Sequence, residues 1–267
     1  ARDNRVLYGG YNHSCSCAMR TNITLAALLV FCASAAWGRT DARSELGRPD
    51  LEKISAATTD ESSPYYYPRL LRAFMANDTT MSAEEFQYFY YGTLFQEDYD
   101  PYRASPNPAL LEELTPIYAK ERRSRADREK MLDYAMQVLN DNPVDLRQLT
   151  NRIYVYEQNA KFDLAKIWQY KLNHLLLVIA ASGTGSDAEN AWTVVYPQQE
   201  YDFLNLSGIT ATGQHFEPPH YDYIMVEQRN DSDCEGYFFN IGEMLKQYFL
   251  KHPGELQTMR NRSQEQE

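Results

Sequence analysis

Two histidines and a carboxylate stand close together late in the chain: His215, Glu217 and His220, on either side of Pro218-Pro219. Imidazole nitrogens and a carboxylate suit a borderline metal such as zinc. Their spacing is that of a loop, not of the i, i+4 pair that a metal-binding helix presents. The three remain candidate ligands, but no metal is predicted. Ser182-Gly183-Thr184-Gly185-Ser186 has the composition of a phosphate-cradling loop. It follows a helical pattern and precedes an extended one, the reverse of the strand–loop–helix order that aims N–H groups at phosphate. A helix end followed by a turn is the expectation. Cys234 lies in Asp231-Ser232-Asp233-Cys234-Glu235, where negative charge disfavours the thiolate. Glu84 and Glu85 stand at capping positions after Ser82 before they are an acid/base pair. His174 falls on the apolar stretch Leu172–Ile179, as a core or edge histidine. No nucleophile elbow, His-Glu-x-x-His motif or EF-hand loop occurs. The chain is therefore read with no catalytic residue and no cofactor, leaning away from an enzyme.

A partner surface is easier to place. Leu146, Leu149, Ile153 and Tyr156 recur at helical spacing. Asn159–Asp163 makes a turn, and Leu164, Ala165, Trp168, Leu172, Leu175, Leu176 and Ile179 line the next helix. The pair resembles one tetratricopeptide unit, with Pro143 closing the unit before it and Ala165 at the small position. It departs from the repeat at Ile153, where a small residue is usual, and at Arg152, which stands at an apolar position. An ordinary helical hairpin is the alternative. Either way, Trp168 and Leu172 should be buried against Leu149 and Ile153. The resemblance implies that the other side of the first helix, Arg147, Thr150, Asn151, Tyr154 and Gln158, lines a concave surface for an extended peptide. Arg supplies a forked donor and Tyr a rigid anchor. A solvated helix face is the competing reading.

The elements around these residues divide into a helical half and a strand-rich half. Residues 39–63 read as a polar linker. Helices are predicted through Leu70–Met75, from Ser82 onward, over about Asn107–Lys120, and from Ser124 to Asn142-Pro143, where Ser82 and Ser124 supply caps. After Ser186 the period becomes extended: Trp192–Tyr196, Tyr201–Leu206 and Tyr221–Glu227 read as strands. Tyr237–Asn240 leads into a closing helix through Met244, Leu245, Tyr248 and Phe249. The fold class is α+β, helices first and then a small antiparallel sheet. The domain is placed at 64–256, with a loose tail at 257–267.

The N-terminal region reads as an export signal. Met19-Arg20 precedes the apolar run Ile23–Ala33 and the small-residue site Ala36-Trp37-Gly38. That makes 19–38 a cleavable signal and 1–18 an upstream extension outside the fold. The apolar run is too short to span a bilayer comfortably, so no membrane span is predicted. A lipoprotein signal ending at Cys32 is the alternative. The whole chain of 267 residues carries a net charge of −11, which becomes −13 once 1–38 are removed. That charge argues against nucleic acid or an anionic membrane as partner. Cleavage leaves Cys234 alone, so no internal disulfide can form. Twenty-one tyrosines suit cores, interfaces and sugar-stacking surfaces alike.

Five stretches stand out together: Tyr88-Phe89-Tyr90-Tyr91-Gly92, Tyr99-Asp100-Pro101-Tyr102, Ser182–Ser186 with Ala191–Val195, Glu200-Tyr201-Asp202-Phe203-Leu204, and Tyr237-Phe238-Phe239-Asn240-Ile241. In combination they resemble the Bacteroidota family described as domain of unknown function 4919. The resemblance runs from about Pro64 to Leu250. It implies export and a shared fold, and it supplies no catalytic residue. The functional expectation is a non-catalytic binding module with a protein or peptide partner in the cell envelope. A glycan-binding or glycan-hydrolysing protein and a structural envelope component are the alternatives.

Overall fold

The computed structural model describes residues 46–228 and 234–255. The proposed upstream extension, the signal with Cys32, and the 257–267 tail lie outside the described residues. Helix α1 (Leu51–Thr59) begins at Asp50, whose carboxylate accepts from Lys53 N at 3.0 Å. Helix α2 (Tyr67–Met75) carries Pro68 in its first turn, where a missing N–H costs nothing. Helix α3 (Ala83–Gly92) opens on the predicted capping box between Ser82 and Glu85. Helices α4 (Pro108–Tyr118) and α5 (Arg125–Asp141) start from Asn107 and Ser124. Helix α6 (Leu146–Gln158) is capped by Asp145, and α7 (Phe162–Ala181) returns beside it.

The predicted linker is structured over α1. Ile54 and Thr58 are buried there, and Ile54 joins the main core. Gly92 lets α3 approach closely: a Cβ there would lie 2.8 Å from the Thr58 Cγ2. With just two buried side chains in nine residues, α1 has too narrow an apolar stripe to reveal a helix by periodicity.

After α7 come β1 (Trp192–Thr193), α8 (Gln198–Leu206), β2 (Ala211–Glu217), β3 (Tyr221–Val226), β4 (Gly236–Asn240) and α9 (Gly242–Lys251). The strand order is β1-β4-β3-β2. β2, β3 and β4 run antiparallel, and β1 pairs parallel to β4. The α+β class holds, with a mixed sheet where an antiparallel one was expected.

Two further expectations are corrected. Residues 201–206 belong to helix α8, not to a strand. Tyr201 and Phe203 mimic a period of two, but Glu200, Phe203 and Leu204 are buried at i, i+3 and i+4, the helical stripe. Ala211–Glu217 is a strand, not a loop. It lies at the sheet edge with no residue fully buried, so it lacks the apolar alternation that marks half-buried strands.

The main core joins α1–α3, α6–α8 and the sheet. A second apolar cluster of Leu114, Ile117, Met131, Tyr134, Val138 and Val155 lies between α4, α5 and α6. Trp168, Leu172, Leu149 and Ile153 share the main core, as the hairpin requires. The off-pattern Arg152 rests over the Trp168 ring at 3.7 Å and donates from Nε to the Tyr156 hydroxyl at 3.1 Å. Lys171 lies over the same ring at 3.9 Å. The ring faces attract positive charge, while burial and then the Arg152 charge lower the Lys171 ammonium to about 7.

Candidate functional site

The residues singled out on α6 do not form one open face. Arg147 is committed to Asp202 of α8, donating from Nε and Nη2 to its Oδ1 at 3.0 and 2.8 Å. Asn151 is buried and donates to Gln148 Oε1 at 3.0 Å. Tyr154 packs against the second apolar cluster, with the Arg123 guanidinium 5.1 Å from its ring centre. Thr150 turns its hydroxyl back to Leu146 O at 2.8 Å. Gln158 alone among the last four is exposed. The physical reason is that α6 is covered on two sides: Val155 is as buried as Leu149. The five positions therefore do not share one open face.

The candidate metal residues also separate. His215 Nε2 and Glu217 Oε1 meet at 2.8 Å as an exposed pair on β2. His220 stacks on Tyr221 with centroids 4.5 Å apart. Among the described residues, no group of three or more His, Cys, Asp or Glu is placed to hold a metal ion. In the Ser182–Ser186 loop the N–H groups of Thr184 and Gly185 donate to Asn190 O at 2.9 and 2.7 Å. Gly185 has φ +72, and a Cβ there would meet the Trp192 ring at 2.7 Å. The loop is thus a turn closed on its own chain. His174 Nδ1 is 2.8 Å from Tyr170 O, and its ring stacks on Phe86. Glu84 accepts from the Tyr65 hydroxyl at 2.8 Å.

The structure instead assembles a centre on α8. Gln199 is 1 % exposed, and both polar atoms of its amide are bonded. Its Oε1 accepts from the Tyr90 hydroxyl at 2.7 Å and from Val195 N and Tyr196 N at 3.2 Å. Its Nε2 donates to Val144 O at 2.9 Å. Tyr99 and Tyr91 add hydroxyl donors to Val195 O at 2.5 Å and Thr193 O at 3.2 Å. The aromatic stretches 88–92 and 99–102 thus converge on the segment from Trp192 to Glu200.

Glu200 follows on the side of the sheet. It is 0 % exposed and Asp222 of β3 is 1 % exposed. Asp222 stands in a cross-sheet row with Phe216 on one neighbour and Phe239 on the other, and Phe239 in turn pairs with Trp192. No oxygen of either carboxyl receives a well-formed hydrogen bond from a protein donor. The two acids meet each other: burial first, then the Asp222 charge and a hydrogen bond to it, hold Glu200 protonated well above the usual carboxylate range. Burial raises Asp222 too, opposed by the Glu200 hydrogen bond, by Gln214 and by the nearby His215. Gln214 Oε1 is taken by the Tyr201 hydroxyl at 2.7 Å, leaving its amide to face Asp222. Tyr102 senses both acids: burial, then Asp222, push its phenol up to about 12. It is also 38 % exposed and packs edge-on against Tyr248 of α9 at 4.8 Å.

Glycoside hydrolysis needs paired carboxyls held about 5 Å or more apart, with the sugar between them. Carboxyls that hydrogen-bond each other are too close for that work. They form a compact acceptor centre: carboxyl oxygens inside an aromatic frame, held toward the protonated form by burial and short of well-formed donors.

Neither acid was singled out in advance. Glu200 was hidden by the strand reading of its neighbours. Asp222 had a visible signal: it precedes Ile224 and Val226 at the same parity, so their alternation already placed it inward.

The family described as domain of unknown function (DUF4919) matches residues 52–249. The chain belongs to that family. The match takes in α1 through most of α9, including the 51–59 region expected to be linker. No curated protein and no solved structure matches the chain.

Proposed function

We propose that this chain is an exported, non-catalytic binding module of the cell envelope whose ligand-contacting centre lies at the Glu200–Asp222 pair. One observation carries the reading: Glu200 and Asp222 are sealed from water, and none of their four oxygens receives a well-formed hydrogen bond from a protein donor. Buried polar groups are nearly always partnered, so such a cluster marks a place where something else supplies the donors. Export rests on the Met19–Gly38 pattern, which places cleavage after Gly38. Among the described residues no helix is long and apolar enough to cross a membrane.

Thermal shift of the purified full chain against small amines, neutral sugars and short peptides tests the reading. A compound that raises the melting temperature of the native chain, but not of Glu200→Gln or Asp222→Asn, supports it. Equal shifts in all three proteins would place the binding elsewhere. Intact mass of the exported protein tests the cleavage, and a start at Cys32 bearing acyl chains would replace it with a lipoprotein.

A further inference from the structure

We infer that the open edge of strand β2 pairs with the same strand of a second copy of this chain, antiparallel about a two-fold axis at Phe216. The pairing is independent of the Glu200–Asp222 centre. β2 ends the sheet order β1-β4-β3-β2, so one of its sides meets no strand among the described residues.

The hydrogen bonds at the ends of β3 fix which residues face that side. Val226 N donates to Glu235 O at 3.0 Å and Ile241 N to His220 O at 3.1 Å, so the even-numbered residues of β3 bond β4. Glu227 N donates to Thr210 O at 2.9 Å, so the odd-numbered ones bond β2. Their partners there are Gly213, His215 and Glu217. Antiparallel ladders alternate. Gln214 and Phe216 therefore turn their N–H and C=O groups to the open edge, a ready template for another strand.

The side chains at this edge complement themselves. Phe216 stands beside the sealed Asp222, yet it is 48 % exposed. On the opposite face His215 Nε2 and Glu217 Oε1 form their exposed pair. An axis at Phe216 sets that ring against its own copy and sets His215 opposite the second copy's Glu217, twice. Aromatic and opposite-charge pairs are the cross-strand contacts that stabilise sheets. An axis at His215 would set His215 opposite itself. One at Gln214 would draw the irregularity between Ala211 and Gly213 into the pairing. Pro218 has no N–H to lengthen the ladder. The contact is short, so the dimer belongs to the weak class of interfaces, and the net charge of −11 keeps it weak. Two-fold pairing uses the open edge of both copies and stops at two.

Sedimentation velocity of the full chain over a concentration series reads the pairing. The expected result is a reversible monomer–dimer equilibrium. Phe216→Pro removes an outward N–H and no bond to β3, and it should weaken the dimer about tenfold or more, with the far-UV circular dichroism unchanged. His215→Glu, at an exposed position, sets four acids around the axis and should abolish the dimer. Adding Glu217→His to that variant restores the alternation of charge and should restore the dimer, which an axis at His215 would not. A chain that stays monomeric at every concentration overturns the proposal. A dimer unchanged by His215→Glu overturns it as well, and so does a double variant that fails to recover.

Discussion

Gln199 and Glu200 are consecutive on α8, equally sealed from water, and treated in opposite ways by the fold. Every polar atom of Gln199 has a partner, drawn from α3, from the turn before α8 and from the segment leading into α6. Glu200 faces another acid and receives no donor. An amide in the first position supplies both donor and acceptor, so it can join three elements at once. A carboxylate in the second position supplies acceptors alone, and the only relief within the fold is to keep a proton. Burial is therefore the same while the energetic role is reversed: one residue holds the architecture together, and the next is held by it at a cost.

The largest break in this comparison comes from Gln199→Ala. The change strands the Tyr90 hydroxyl, Val195 N, Tyr196 N and Val144 O together. Each stranded buried group costs about 1–3 kcal/mol and such costs are not additive, so a loss of roughly 3–5 kcal/mol is expected in urea unfolding. A loss under about 1 kcal/mol would mean that water replaces the amide and that the hub is not a joint.

Arg147→Ala tests the intermediate case on the same helix. Asp202 is buried, and its Oδ1 depends on the guanidinium while Oδ2 has no partner. Burial raises Asp202, and Arg147 opposes that rise. Because the Arg147 side chain is 59 % exposed, the expected cost is about 2 kcal/mol, below that of breaking a fully buried pair. A neutral result would show Asp202 already protonated with its partner in place.

The helical half was readable because its signals are local. Ser82, Asn107 and Ser124 announce their helices within three residues, and Leu149, Ile153, Trp168 and Leu172 declare the hairpin by period. The α8 centre is not local. Gln199 bonds residues 3 to 109 positions away, and nothing in Gln198-Gln199-Glu200 says which of the three meets Tyr90. The five positions expected to share one face of α6 are dispersed for a related reason. Polar Asn151 and Tyr154 look outward on a helical wheel, but α4 and α5 cover them.

Glu200→Gln should stabilise, by an amount on the order of 1 kcal/mol at pH 7. The new amide can donate to Asp222, which ends the contest between two acceptors. The pH dependence carries the stronger test. Glu200 and Asp222 are raised in the native state, and Asp145 is raised to about 6, chiefly by burial and then by Asp202. At these three groups the native chain holds more protons than the unfolded chain above about pH 4, so their contribution to stability is full below that point and is lost as pH rises through the native values. Lys171 works in the other direction. Burial, then Arg152, lowers it to about 7 from 10.5, so its contribution improves with pH above neutral. Denaturant midpoints between pH 4.5 and 7 isolate the acids. The Gln variant should show a shallower fall across that window, and parallel curves would mean that Glu200 ionises freely.

The smallest expected effects come from the tyrosines that brace the same segment, and they sharpen the comparison by dose. Tyr99 donates to Val195 O at 2.5 Å and Tyr91 to Thr193 O at 3.2 Å. Both rings are buried, and burial raises both phenols, so each hydroxyl stays a donor across the working pH range. Tyr99→Phe removes the shorter bond and strands Val195 O, for a cost of about 1 kcal/mol. Tyr91→Phe removes a longer bond to a carbonyl on the strand β1, and about 0.5 kcal/mol is expected. Neither change touches the Gln199 amide or the Glu200 carboxyl. If Gln199 is the joint of this segment, each Phe variant should add simply to Glu200→Gln and less than simply to Gln199→Ala, because the Ala variant has already loosened the segment that the hydroxyls brace. Double-mutant cycles on urea midpoints read this. Equal coupling of Tyr99→Phe to both positions would mean that α8 moves as one rigid piece and that its two neighbours are not separate devices.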